Sequence, residues 1–274
     1  MSAGRKVRFG WKTDMAAVDL GDVGIHDAQM AKPSVLPVDL EKQLSSIGQR
    51  LENGESVAAE LPAVTEGISA LPAISISQAA PAIAYTAKLF RWRPGSSLFK
   101  TLFRPRLTDK AQLLQLPELR YLFLFHLDGR MREAALQRIT GGLPSPFLFA
   151  AVAFRLNDWV GQVREAALAC ANRCFPLTSP DVVAGAAAAL LLRQHSWGRW
   201  GTEREAIDAA FARADVAARL ASDLVEAQTG SASRILRIAL KHDAVDQHLE
   251  RPRGLGRPAH QLTCRNFPTI CIAA

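Results

Sequence analysis

Cysteine is scarce in this chain of 274 residues, and aromatic side chains make up only 7% of it. The four cysteines are Cys170, Cys174, Cys264 and Cys271. Cys170 and Cys174 lie one helical turn apart, a poor arrangement for an intrahelical disulfide. Neither pair has the Cys-x2-Cys spacing of a zinc ribbon. A disulfide-stapled scaffold is therefore excluded, and buried thiols in a reducing, cytoplasmic setting are expected. Few aromatics with abundant alanine favour helix over sheet. No segment alternates apolar and polar residues over a useful length, which removes most β architectures.

Long apolar runs are also missing. The one uncharged run, from Gly67 to Ala87, contains Pro72, Pro81, several serines and Gln78. It is expected to be a Pro/Ala-rich connector with short helical pieces, not a membrane span. No N-terminal apolar stretch reads as a signal peptide. Motifs for phosphate cradles, nucleophile elbows and zinc proteases are absent, so no catalytic residue and no cofactor are expected. His242 and Asp246 stand one turn apart, but no second cluster of ligands accompanies them. They are read as an ordinary helix end, and no metal is expected.

The formal net charge is +7, but it is unevenly placed. From Ala111 to Glu250 basic and acidic residues cancel, fifteen of each. The excess lies in two places. Between Lys88 and Lys110 the basic residues Lys88, Arg91, Arg93, Lys100, Arg104, Arg106 and Lys110 face Asp109 alone. After Glu250 the chain carries Arg251, Arg253, Arg257 and Arg265 and no acid. A basic stripe along the whole protein is not implied.

What is present is helical periodicity. Residues 1–37 carry scattered Gly and Pro and read as a flexible segment. "PVDLEKQLSSIGQRLENG" reads as a helix, with Asp39 as cap, Leu40, Leu44, Ile47 and Leu51 on one face, and Asn53-Gly54 as stop. A second helical pattern covers about 56–71. Residues 38–110 thus form an N-terminal helical region that ends in the basic segment. From 108 on, the spans 108–116, 117–127, 130–140, 144–156, 160–174, 179–194, 202–213, 214–228 and 231–242 each read as helix. Residues 251–274 read as an irregular basic tail.

Within 111–250 a motif recurs. Met131-Arg132-Glu133-Ala134-Ala135-Leu136 matches Val163-Arg164-Glu165-Ala166-Ala167-Leu168. Glu203-Arg204-Glu205-Ala206-Ile207 is a weaker third copy and Ser233-Arg234-Ile235-Leu236 a degenerate fourth. The arginines are 32, 40 and 30 residues apart, a period that suits two helices per unit in an α-solenoid. One such hairpin cannot bury both of its faces, so neighbours must stack.

On Asp158, Val163, Arg164, Glu165, Ala166 and Ala167, the stretch 117–242 resembles the HEAT-repeat family. The resemblance implies an all-α, right-handed solenoid of about four helical hairpins. It also implies a polar ladder between adjacent repeats, made by a turn Asp and a helix Arg. That role falls to Asp158 and Arg164, and to Asp128 and Arg132, although Asp128 precedes its arginine by four residues where Asp158 precedes by six. The third copy has no turn Asp. Arg173, in the last turn of the same helix as Arg164, is expected to contribute almost nothing. Asn157 and Asp158 are expected to end one helix and cap the next, with Trp159 packed at the turn.

The function expected from these features is a non-enzymatic scaffold that binds another protein, with no membrane partner. The turn "RQHSWGRWG", with His195, Trp197, Arg199 and Trp200, is the candidate binding surface. The alternative is nucleic-acid binding, with Lys88, Arg91, Arg93, Lys100, Arg104 and Arg106 as phosphate contacts. The competing reading of that segment is a cover for the first repeat. A third reading follows from the resemblance, since some basic HEAT-like proteins are DNA glycosylases. Their pocket residues find no position-by-position match here.

Overall fold

The structure is a computed structural model, and it describes residues 35–90, 109–193, 197–199 and 201–226. Among these residues every regular element is a helix. The calls on Arg91, Arg93, Lys100, Arg104, Arg106, His195, Trp200, Arg234, His242 and the tail cysteines lie outside the described residues.

Helix α1 (Val38–Asn53) buries Leu40, Leu44, Ile47 and Leu51, one stripe at helical spacing. Asp39 does not cap it. The residue before the helix is Pro37, with no side-chain cap bond, and Asp39 sits in the first turn, where its charge suits the helix dipole. Gly54 ends the helix at φ 74°. The Glu55 N–H then reaches the Arg50 carbonyl at 2.9 Å, and that of Gly54 reaches Leu51 at 3.1 Å. Helix α2 (Leu61–Ser69) is shorter than the 56–71 pattern, because a turn occupies 58–60.

A one-turn 3-10 helix (Ala73–Ser75) leads into α3 (Ile76–Thr86). The uncharged run is thus core and not connector: Ile76, Ala79, Ala80, Ile83 and Ala84 are all buried. No single described helix is long and apolar enough to cross a membrane, and the apolar pieces on either side of Leu71 meet at 95°. Helix α3 closes with the same bond pattern as α1 but without glycine. Lys88 takes φ 51°, and the Leu89 N–H bonds the Ala84 carbonyl at 2.9 Å. Left-handed backbone at a lysine costs about 1–2 kcal/mol. The fully buried Leu89 offsets that cost, in the position where this terminator places its apolar contact.

The remaining helices are α4 (Asp109–Gln115), α5 (Leu119–Phe123), α6 (Gly129–Arg138), α7 (Pro146–Arg155), α8 (Gly161–Cys174), α9 (Pro180–Arg193), α10 (Glu203–Phe211) and α11 (Ala214–Glu226). Most match the periodic spans to within two residues. The exception is α5, which covers only part of 117–127. Helix α6 packs on α8 and α8 on α10; α7 packs on α9 and α9 on α11. Neighbours in sequence pair as well, α5 with α6, α7 with α8 and α9 with α10.

Helices α2 and α3 and the 3-10 turn lie against α7, and the 3-10 turn also touches α9. Helix α7 is therefore covered by α8 and α9 and by the N-terminal helices, and every residue from Phe147 to Ala153 is inaccessible. A helix enclosed in this way needs no polar stripe, which explains "PFLFAAVAF". Ser145 opens it by accepting the Leu148 N–H at 3.2 Å, with Pro146 in the first turn. Phe149 stacks on Phe175 with ring centroids 4.2 Å apart.

The loops that follow α6 and α8 lie against each other. A Cβ on Gly142 would stand 2.4 Å from the Leu177 carbonyl oxygen, so the approach needs glycine. The Thr178 hydroxyl donates to the Cys174 carbonyl at 2.7 Å and accepts the Leu143 N–H at 3.0 Å. Cys170 and Cys174 are buried free thiols with Sγ atoms 3.9 Å apart. Contact with Cys174 and burial push the Cys170 thiol up.

Candidate interaction site

Two rows of polar contacts tie successive helical hairpins together, one at each edge. At the first edge, the turns α5–α6, α7–α8 and α9–α10 are linked through the recurring arginines. Arg132 donates from Nε and Nη2 to both carboxylate oxygens of Asp158, at 2.9 and 2.8 Å. Its Nη1 donates to the carbonyls of His126 and Leu127 at 2.8 and 3.0 Å. Both side chains are sealed, with 3% and 1% of their surface exposed.

Arg164 repeats the pattern one hairpin on. Its Nη1 donates to the Asp158 carbonyl, six residues back, at 2.9 Å, as Arg132 does to His126. Its Nε meets Glu203 at 3.3 Å, so an acid next to the third arginine serves where no turn Asp is present. Arg204 does not continue the row among the described residues; it pairs with Asp208 on its own helix at 3.3 Å.

Asp158 gathers further partners. Arg155 reaches it at 2.9 Å and the Val160 N–H at 3.0 Å. Val160, and not Asp158, is the residue immediately before α8. Burial by itself would raise the Asp158 pKa. The Arg132 fork, the Arg155 charge and the Val160 N–H outweigh burial and hold the carboxyl below its usual range. Burial lowers the Arg155 guanidinium to about 10 against the pull of Asp158. Burial would likewise raise Glu203, but its own and the Gly201 N–H groups, with Arg164, hold it down.

Asp128 has a different job from Asp158. It precedes α6 directly and accepts the Arg130 N–H at 3.0 Å, a helix cap. The position six residues before Arg132 belongs to His126. That imidazole is 1% exposed; its Nδ1 accepts the Asp128 N–H at 2.9 Å, which leaves Nε2 to donate to Asp109 at 3.1 Å. His126 therefore mimics Asp158, bonding the N–H two residues on and an ionic group of the preceding helix. Its spacing from Arg132 was a legible signal that the sequence reading missed.

The second edge carries a row that sequence reasoning also missed. Arg173 is not idle. Its Nη2 donates to the carbonyls of Leu136 and Ile139, at 3.0 and 3.1 Å, at the end of α6, two helices back. Arg213 does the same for Phe175 and Thr178, each at 2.8 Å, after the end of α8. Carbonyls at helix C-termini lack some of their intrahelical donors, and a cation from the next hairpin adds one to each of these. Arg173 and Arg213 each stand nine residues after a motif arginine, Arg164 and Arg204.

Of the candidate binding surface, Trp197 is half-buried and meets Phe154 edge-on at 5.8 Å. Arg199 is exposed, and its backbone N–H donates to Asn157 at 2.9 Å. Of the candidate phosphate contacts, Lys88 is committed within the fold, donating to Gln49 at 2.8 Å and pairing with Glu52 at 3.2 Å.

Trp159 departs from the expected packing role. It is 72% exposed, an unusual state for so large an apolar ring. It borders a surface groove of about 430 Å³ between the α5–α6 and α7–α8 turns, with Leu127, Asp128, Arg130, Glu133 and Gln162 among its walls. Leu127 is itself 41% exposed. No group of three or more His, Cys, Asp or Glu side chains able to hold a metal occurs among the described residues. Comparison with protein-family models, curated proteins and solved structures finds no match to this chain.

Proposed function

We propose that α5 to α11 form a short α-solenoid of HEAT-like hairpins, and that it acts as a non-enzymatic scaffold holding another protein at the edge where Trp159 stands. The observation that carries this reading is the exposed indole of Trp159 beside Leu127 in a groove between consecutive turns. Exposed tryptophan in a concavity is what protein hot spots are made of. The repeated arginine contacts support the solenoid half of the proposal, since each spans one hairpin to the next and holds the groove walls in register. For nucleic-acid binding, Lys88 is the one named phosphate contact among the described residues, and it is engaged with Glu52 and Gln49.

The test is affinity capture with the full chain and its Trp159→Ala variant, each with and without nuclease. The expected result is a protein retained by the parent, lost with Trp159→Ala and indifferent to nuclease. Retention that ignores Trp159, or that disappears with nuclease, overturns the reading.

A further inference from the structure

Gln112 stands on α4 with a carboxamide that nothing in the fold satisfies. The residue is 4% exposed, and neither its Nε2 nor its Oε1 meets a hydrogen-bond partner. Buried amides are rarely left in that state, because the group gives up water and gains nothing in return. Gln112 also lines a pocket of about 110 Å³ between α4 and the turn that follows α1. Leu51, Val57 and Leu116 give this pocket apolar walls, and Ser56 and Gln115 are its exposed polar walls. Glu55 is the one charged wall among the described residues, and Arg50 pairs with that carboxylate at 3.5 Å.

These features narrow the occupant. The volume is well below the roughly 300–1,000 Å³ of sites for drug-sized ligands, so it suits a group the size of a side chain. With the Glu55 charge already paired, a neutral group fits best. The Gln112 amide offers a donor and an acceptor in one plane. An ammonium would leave its donor unused, and a carboxylate would leave its acceptor unused. A trans peptide bond points its N–H and C=O to opposite sides, so it answers one of the two and not both. A primary carboxamide carries both on one side and closes a ring of two hydrogen bonds.

We propose that this pocket binds a primary carboxamide, with the Gln112 side chain turning its amide to meet it and Leu51, Val57 and Leu116 holding the aliphatic stem. The site goes beyond the scaffold reading and does not depend on it. Its ligand chemistry is shared by a free small amide and by a glutamine or asparagine side chain of another protein.

The probes are propionamide and acetyl-Gly-Gln-Gly-N-methylamide, whose only primary amide is the glutamine side chain. The controls are N,N-dimethylpropionamide and the same peptide with methionine or glutamate in place of glutamine. Each is titrated into the full chain at neutral pH while the side-chain NH2 groups of Gln112 and Gln115 are followed by NMR. These resonances are assigned by their loss in Gln112→Met and Gln115→Ala. A saturable shift is expected with a primary amide and none with the controls. Gln112→Met, read at Gln115, should weaken binding by about tenfold or more, the value of two neutral hydrogen bonds. The same variant should melt no lower than the parent, because it removes an unsatisfied amide from the interior.

Binding of propionamide alone identifies a free amide as the source, and tighter binding of the glutamine peptide identifies another protein; either supports the site. Equal shifts with dimethylpropionamide or the methionine peptide would show that the pocket does not select a carboxamide, and the proposal falls. It falls as well if no probe gives a saturable shift, or if Gln112→Met lowers the Tm, which would show an amide already satisfied in the free chain.

Discussion

Removing Arg132 is the sharpest perturbation of this fold. Its guanidinium makes four hydrogen bonds, two to Asp158 and two to the carbonyls of His126 and Leu127, from a position 3% exposed. Breaking a buried pair by deleting one partner costs about 3–5 kcal/mol, because a charge stays behind without its counter-ion. Here Asp158 keeps Arg155 and the Val160 N–H, which places Arg132→Ala near the lower end, about 3 kcal/mol. For a chain of this size that is a fall in Tm of about 6–12 °C.

Arg164→Ala removes a longer contact to Glu203, between side chains 27% and 18% exposed, and one bond to a carbonyl. It should cost about 1 kcal/mol. The assay is a denaturant midpoint series on both variants, with Arg132→Lys and a double-mutant cycle pairing Arg132→Ala with Asp158→Asn. Lysine should recover only part of the loss, and the cycle should show coupling of about 2 kcal/mol or more. If Arg132→Ala costs no more than Arg164→Ala, or if the cycle shows no coupling, Asp158 and Arg132 do not form a buried rung and the stacking argument is wrong.

The Asp158 carboxyl is held below its usual range, so its contribution is complete above the unfolded carboxylate value of about 4 and is lost as pH falls through the folded value. Midpoints measured from pH ~5 downward should drop more steeply for the parent than for Asp158→Asn. Arg173→Ala should cost about 1–2 kcal/mol, since it leaves the Leu136 and Ile139 carbonyls with a donor fewer at a helix end; a silent variant in chemical denaturation would refute the second row of contacts. Gly142→Ala should be worse than Gly141→Ala, because the first meets the Leu177 carbonyl oxygen at 2.4 Å and the second meets open space and only the strain of φ 75°. The expected costs are about 2–3 kcal/mol and about 1 kcal/mol, read from thermal melts of the two variants.

The sequence alone determined most of the helices and the faces they bury. The stripe Leu40, Leu44, Ile47 and Leu51 follows from the 3.6-residue period, and Asn53-Gly54 is a stop because glycine enters left-handed backbone without strain. The recurrence of Arg132 and Arg164 was legible for the same reason, since one hairpin's contacts repeat at one hairpin's spacing. Tertiary structure decided the rest, because the partners stand 26 to 39 residues away and are chosen by how hairpins stack. Nothing local distinguishes Glu203 from Glu205, or shows that Arg173 reaches back to the end of α6. The run from Gly67 to Ala87 looked like a connector because proline and serine interrupt it. It is core because α2 and α3 lie against α7, a contact no period within the run encodes. Trp159 reads as a packing residue by its type and stands open because its own turn, α7–α8, borders a groove against the α5–α6 turn.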